Sequence, residues 1–313
     1  MQTYRIPQSD LEVSRIAYGC MHLSPAWDEQ PITAKEISTT LEVVEAALEQ
    51  GITLFDHADI YARGKSELLF GQALRQIPDL RARIVLQSKC GIRVANDPPG
   101  APARYDFSRE HLLHSVEGIL QRLGTEYLDI LLLHRPDPLA EPAEVASAFD
   151  ELHRSGKVRH FGVSNHSASQ ISLLRQHVDQ PLAINQIELS LSHHHPISET
   201  ILSNQAGVTY AGATGTLDYC REHDILVQAW SPLAGGRISG PAAALAEQLA
   251  HAKGVAKESV LLAWLLKHPA PIQPIIGTTR ADRLADSCRA DSISLSREEW
   301  YSLLAVVRGT PVP

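Results

Sequence analysis

Tyr127-Leu128-Asp129-Ile130-Leu131-Leu132-Leu133-His134 is an apolar run that stops on an imidazole. Three other stretches have the same form: Thr53-Leu54-Phe55-Asp56 running on to Tyr61, Ile84-Val85-Leu86-Gln87-Ser88-Lys89, and Phe161-Gly162-Val163-Ser164-Asn165. Each reads as a short strand that delivers a polar group at its C-terminal end. That is where a parallel α/β barrel places its chemistry.

Outward from these strings, strand-like runs alternate with stretches of helical period, which is the repeat of one βα unit. Eight strands are expected, near Arg15–Tyr18, Thr53–Phe55, Ile84–Gln87, Tyr127–Leu133, His160–Val163, Leu182–Gln186, Ile225–Ala229 and Ile272–Ile276. Between them lie helical patterns such as Lys35–Gln50, Ser66–Gln76, Ser108–Leu123, Glu141–Ser155 and Glu258–Lys267. Ser108, followed by Glu110 and His111, has the form of an N-cap with an acidic first turn, and Gly51, Gly124 and Gly156 fall where a left-handed C-terminal residue belongs. The fold class read from this pattern is a (β/α)8 barrel that uses residues 1–313 as one domain. A last helical pattern, Leu295–Val307, carries Trp300, Leu303 and Leu304 and is expected to pack outside the barrel.

Three segments depart from the regular unit: Ala95–Tyr105, rich in Pro and Gly; Ser190–Gly215, with three consecutive histidines; and Ser231–Pro241. All follow strands, so all would overhang the active face. Pocket walls are expected there and on Met21, His22 and Trp27 of the first loop, although a surface position would equally suit Trp27.

Composition is that of an ordinary globular chain, with 20% charged and 44% hydrophobic residues. The net charge of -8 speaks against a phosphate-backbone partner such as nucleic acid. Cys20, Cys90, Cys220 and Cys288 are widely spaced, without CxxC pairing, and the N-terminus has no basic segment followed by an apolar core; a reduced, cytoplasmic protein is expected. No apolar run approaches the roughly 18 residues that span a bilayer. Oligomeric state is not legible in these patterns, and a monomer is the default expectation.

Reducing a carbonyl needs a hydride from one side and a proton delivered to the oxygen. Tyr61 is the candidate acid. A free phenol titrates near pH ~10, so bringing it toward neutrality takes roughly 3 pH units of differential stabilisation, which a buried ammonium at Lys89 could supply. Asp56 would hold Lys89 charged, and a neutral His134 would donate to the carbonyl oxygen. Singly, a strand-end Asp or Lys is more often a loop ion pair, and a lone Tyr is usually packing. Together and in order the four point to chemistry.

With Gly64-Lys65-Ser66-Glu67, Leu133-His134-Arg135-Pro136-Asp137-Pro138 and Gly156-Lys157-Val158-Arg159-His160-Phe161-Gly162-Val163-Ser164-Asn165 also in place, the chain resembles the aldo-keto reductase superfamily from about Arg15 to about Ala290. The resemblance implies a barrel that binds NADPH without a Rossmann domain and reduces an aldehyde or ketone through Asp56, Tyr61, Lys89 and His134. It further implies that Ser164, Asn165 and Gln186 hold the nicotinamide carboxamide and that Trp230 stacks on the ring. Gly19, Cys20 and Met21 would lie beside the cofactor. Ser231, Pro232, Leu233, Gly235 and Arg237 resemble the pyrophosphate loop, with glycines that let backbone approach phosphate. Gly277, Thr278, Thr279, Arg280, Arg283 and Asp286 resemble the adenosine end, where Arg280 or Arg283 would pair the 2′-phosphate.

The chain also departs from the family pattern. His57 stands where many members carry a small hydroxyl residue and His166 follows Asn165 where an aromatic is common; strand alternation turns His57 away from the side of Asp56. The Leu133–Pro138 string and the tail ending in Val312-Pro313 look most like bacterial oxidoreductases of poorly defined substrate, so small aldehydes, dicarbonyls and sugar carbonyls all stay open. The adjacent His193, His194 and His195 cannot readily converge on one ion, so no metal site is expected. Cys90 reads as a packed strand-end thiol before a redox-sensitive one. Two other functions fit parts of the pattern. A non-catalytic sensor of the same fold would bind NADPH without turnover, and a metal-dependent barrel hydrolase built on His57, His134, a Lys and an Asp would bind metal and no nicotinamide.

Overall fold

The structure is a computed structural model that describes residues 1–201 and 215–311. Eight parallel strands close into a barrel in sequence order: β1 (Ala17–Gly19), β2 (Leu54–Asp56), β3 (Val85–Cys90), β4 (Leu128–Leu133), β5 (Val158–Ser164), β6 (Leu182–Glu188), β7 (Leu226–Trp230) and β8 (Ile272–Ile276). Pairing of Ile275 with Ala17 and of Ile276 with Tyr18 completes the ring. These are the eight expected strands, shifted by up to three residues at their ends.

The helices begin and end on the residues that cap them. Thr33 and Glu36 form a reciprocal capping box at the start of Ala34–Glu49. The Ser108 hydroxyl accepts from the His111 amide at the start of Arg109–Leu123, and Gly124 ends that helix at φ 69°. Pro142 occupies the first turn of Pro142–Arg154, where its missing N–H costs no hydrogen bond.

Alternation along the strands divides the apolar residues into two bodies. The larger lies between strands and helices, with Phe55, Leu86, Leu131 and Phe161 facing Val116, Ile119, Phe149 and Leu152. The smaller fills the barrel from Ala17, Leu54, Val85, Ile130, Leu132, Ile184, Leu226 and Ile275. An N-terminal hairpin, Thr3–Arg5 against Glu12–Ser14, adds buried Ile6 and Val13 to this inner layer and so plugs the end where the strands begin. The outer helix Arg297–Arg308 packs through Trp300, whose ring stacks on that of Trp264 at 5.2 Å with an 11° interplanar angle. Its position outside the barrel is the expected one.

Gly162 is required by a close approach. A Cβ there would sit 2.6 Å from the Ile184 carbonyl oxygen of the neighbouring strand. No helix among the described residues is long and apolar enough to cross a membrane.

Candidate active site

Beyond their last barrel residues β2, β4 and β5 keep their pairing with the neighbouring strand for a residue or more, and this places the groups that follow. The His57 and Asp59 amides donate to the carbonyls of Gln87 and Lys89 at 2.8 and 3.0 Å, which carries the chain from Asp56 to Tyr61 alongside β3. The His134 amide donates to Cys90 O at 2.9 Å and the Asn165 amide to Gln186 O at 2.8 Å. Tyr61 opens a tight turn in which Ala62 and Arg63 hold left-handed backbone at φ 48° and 55°. Backbone of that kind at non-glycine residues persists only where the surroundings impose it.

Lys89 Nζ donates to both carboxylate oxygens of Asp56, at 2.6 and 2.7 Å, and to the His57 carbonyl at 2.8 Å. With Lys89 0% and Asp56 2% exposed, little solvent screens this pair. The ammonium lies 5.1 Å from the centroid of the Tyr61 ring, and the Tyr61 and His134 rings meet edge to face at 6.0 Å. All four residues expected to do the chemistry are therefore gathered at one place.

The electrostatics depart from the sequence expectation in one respect. Burial pushes the Tyr61 phenol above the ordinary tyrosine value; Lys89 pulls it down, but Asp56 pushes it up again, so the net direction is upward rather than toward neutrality. Burial also weakens the charged form of Lys89, yet the attraction of Asp56 and Tyr61 outweighs it and the ammonium is held above its usual range. Burial first, then Lys89 and Arg135, hold His134 well below the usual histidine value, so its ring is neutral. Its Nδ1 is buried without a partner, which leaves Nε2 for a ligand.

Asp56, Tyr61 and His134 form one end of a cavity of about 890 Å³, while Lys89 is buried and not in its wall. Of the residues the family resemblance assigned to the cofactor, Gly19, Met21, Ser164, Asn165, Gln186, Trp230, Ser231, Pro232, Leu233, Gly235, Gly277, Thr278, Arg283 and Asp286 line it. Cys20, Arg237, Thr279 and Arg280 are not in its wall. The Cys20 side chain is fully buried, and Arg280 is exposed and paired with Asp282. His22, Trp27, Ile92 and Arg135 also line the cavity. Of the three irregular segments, Ser231–Pro241 supplies wall residues, whereas Ala95–Tyr105 and the described residues of Ser190–Gly215 supply none; positions 202–214, like Val312-Pro313, lie outside the described residues.

Trp230 is fixed from two directions, by its Nε1 donating to Asn165 Oδ1 at 2.9 Å and by the Arg135 guanidinium 5.4 Å over the ring. Asn165 Nδ2 in turn donates to His134 O at 3.2 Å and to Ser164 Oγ at 2.8 Å. The polar groups of β4, β5 and β7 thus brace one another.

His57 is fully buried against Phe70, with ring centroids 4.6 Å apart, and burial lowers its pKa to about 3. His166 is buried against Phe107 and lowered to about 4. Neither lines the cavity. Cys90 is fully buried, and no group of metal-ligating residues occurs among the described residues.

Sequence reasoning missed a buried polar layer beneath the site, made by Gln87, Gln228 and Gln273 with Gln186. A signal existed: the period of two that points Lys89 inward also points Gln87 inward. It also missed that Glu67, buried behind β3, accepts from Ser88 Oγ and Arg122 Nε, each at 2.7 Å.

Residues 15–308 match the aldo/keto reductase family over nearly the whole chain. The chain belongs to the aldo/keto reductase family. It is by that membership an oxidoreductase, and the match extends beyond Ala290, where the sequence resemblance had ended. An uncharacterized oxidoreductase of Bacillus subtilis, YcsN, is 38% identical, with 97% of each chain covered. A 6-dehydroglucose reductase of Agrobacterium fabrum is 37% identical over 98% of this chain and 99% of its own. Among solved structures, an aldo-keto reductase from Klebsiella pneumoniae in complex with NADPH superposes with a TM-score of 0.75 at 26% identity, covering 96% of this chain and 93% of that one.

Proposed function

We propose that this reductase uses NADPH to reduce an aldehyde or ketone to an alcohol, with Tyr61 as proton donor, and that residues 1–313 act as one catalytic unit. The observation that carries the reading is the convergence of Asp56, Tyr61 and His134 on one end of a cavity of about 890 Å³, within the size range of ligand sites, with Lys89 buried behind them on the Asp56 carboxylate.

The remainder of the cavity suits a dinucleotide. Gly19 and Gly277 lie side by side in its wall, where a Cβ on Gly277 would come 3.3 Å from Gly19 O, a tight contact that bare backbone avoids. Gly235 and Gly236 hold φ of 63° and 77°, and Ser231 and Ala234 hold 49° and 50°, a run of turned backbone of the kind that points N–H groups at phosphate. Arg283 lines the cavity beside Asp282 and Asp286, away from Arg135, and would read the 2′-phosphate. Gln186 already spends its amide nitrogen on Asp56 and Gln228, at 3.1 and 3.0 Å, so toward a carboxamide it can offer only its oxygen.

When bound, NADPH supplies the hydride. Tyr61 remains a phenol at neutral pH and therefore holds the proton the carbonyl oxygen needs. As that proton leaves, the charged Lys89 stabilises the phenolate left behind, and Asp56 keeps Lys89 charged and in place. The neutral His134 orients the oxygen and donates to it as negative charge develops.

The test is steady-state oxidation of NADPH across aldehydes and ketones, with a hexose oxidised at C6 to the aldehyde included because a relative matching along its whole length is named for that substrate. Turnover with some members of the panel is expected. Tight NADPH binding with no turnover would make the chain a sensor of the same fold.

A further inference from the structure

The interior of the barrel carries a polar layer where an apolar one would pack without cost. Gln87 of β3, Gln186 of β6, Gln228 of β7 and Gln273 of β8 are all buried, at 2% exposure or less. At its lower end Gln273 Nε2 donates to Ser14 O at 2.6 Å. Gln228 Nε2 donates to Gln273 Oε1 at 2.9 Å and to Gln87 Oε1 at 3.1 Å. Gln228 Oε1 then accepts from Gln87 Nε2 and from Gln186 Nε2, at 2.8 and 3.0 Å. At the upper end both of those amides give their remaining hydrogen to Asp56 Oδ1, at 2.6 Å from Gln87 and 3.1 Å from Gln186.

The direction of every amide is determined by the two ends. A backbone carbonyl at the bottom and a carboxylate at the top can only accept, so flipping Gln87 or Gln273 would set oxygen against oxygen inside the barrel. Gln228 is the junction, since it touches neither end yet orients Gln87 and Gln186 together.

We propose that these glutamines are positioning residues: a hydrogen-bond ladder, anchored on Ser14, that holds the Asp56 carboxylate square to Lys89 and so sets the Lys89–Tyr61 contact. The proposal rests on the reading of Asp56, Lys89 and Tyr61 as the proton-delivering group. It places the origin of their geometry deep in the barrel, away from substrate and cofactor. It also gives Gln186 a second task, because the residue that would face the carboxamide is a rung of the same ladder.

Two variants probe it, Gln87→Leu, which removes a direct donor to Asp56, and Gln228→Leu, which removes only the junction. Hydrogen bonds to a charged group are among the stronger ones. Expected are a fall in kcat of about 10- to 100-fold for Gln87→Leu and of about 3- to 10-fold for Gln228→Leu, with KM for the carbonyl and Kd for NADPH within about threefold. A double-mutant cycle locates the effect: in an Asp56→Asn background neither substitution should lower kcat further. Losses that add in full to that of Asp56→Asn, or variants that lower Tm and leave kcat unchanged, would show a ladder that serves packing alone. Crystal structures of the parent and of Gln228→Leu provide a readout that needs no turnover. The Asp56 carboxylate should lose its two-oxygen grip on Lys89 in the variant, and an unchanged grip overturns the ladder even if no carbonyl is ever reduced. Absence of turnover in the unmodified protein would instead overturn the reductase reading.

Discussion

The two ends of the cavity are built on different principles. At the end that carries the proposed proton donor, Asp56, Lys89 and His134 are buried on barrel strands or directly at their ends, each braced by a neighbouring strand. At the nucleotide end, the turned backbone from Ser231 to Gly236 stands on a loop and Arg283 in the first turn of the helix Ala281–Cys288; of the arginines there Arg283 lines the cavity while Arg280 turns to Asp282 and Arg237 stays exposed. The contrast shows that this fold places Asp56, Lys89 and His134 on hydrogen-bonded parallel strands or directly at their ends, with Tyr61 on the turn that follows β2. Recognition of the larger ligand is left to backbone turns and long side chains that can adapt.

The comparison can be broken most severely at Tyr61. Tyr61→Phe removes the proposed proton donor together with its hydroxyl contact to Lys89, so carbonyl reduction should fall by about 10²- to 10⁴-fold while NADPH quenches tryptophan fluorescence with a Kd close to that of the parent. Undiminished activity would remove Tyr61 from the mechanism.

A second substitution asks whether the strand-held end depends on its support from outside the barrel. Glu67 is fully buried and its ion pair with Arg122 at 2.7 Å is partly shielded. Arg122→Leu leaves that carboxyl without its cation beside buried Asp59, and burial already holds both acids above the usual carboxylate range. Removal of one partner from a buried pair costs on the order of 3–5 kcal/mol, reduced here because Arg122 is about a quarter exposed. Chemical denaturation should therefore show a loss of about 2–3 kcal/mol, and a midpoint equal to that of the parent would mean that Glu67 is neutral in the folded protein.

The smallest effects are expected at the rim. Arg283→Ala should raise the Kd for NADPH about tenfold over any change for NADH, and Arg280→Ala should change either by less than about twofold because its guanidinium is engaged at the surface. Titration of both nucleotides into both variants settles which arginine reads the 2′-phosphate, and equal losses for the two nucleotides would remove Arg283 from that role.

Sequence alone located the eight strands and the four polar groups at their ends, because alternation of apolar runs with helical periods is a local property and each group follows its strand directly. It left the cofactor arginines undivided. Arg280 and Arg283 are both plausible at a helix start, and only the packed chain shows that Asp282 captures one and the cavity receives the other. The direction of the Tyr61 shift was likewise out of reach, since it depends on how deeply the ring is buried and on Asp56 opposing the pull of Lys89.

What the sequence by itself determined is therefore the barrel and the identity of its chemistry, both written in residues whose meaning depends on neighbours a few positions away. What only the tertiary structure decided is how Asp56 is held. Its donors come from Gln87, Lys89 and Gln186, with Gln228 behind them, and a set drawn from three strands far apart in the chain meets only when the barrel closes.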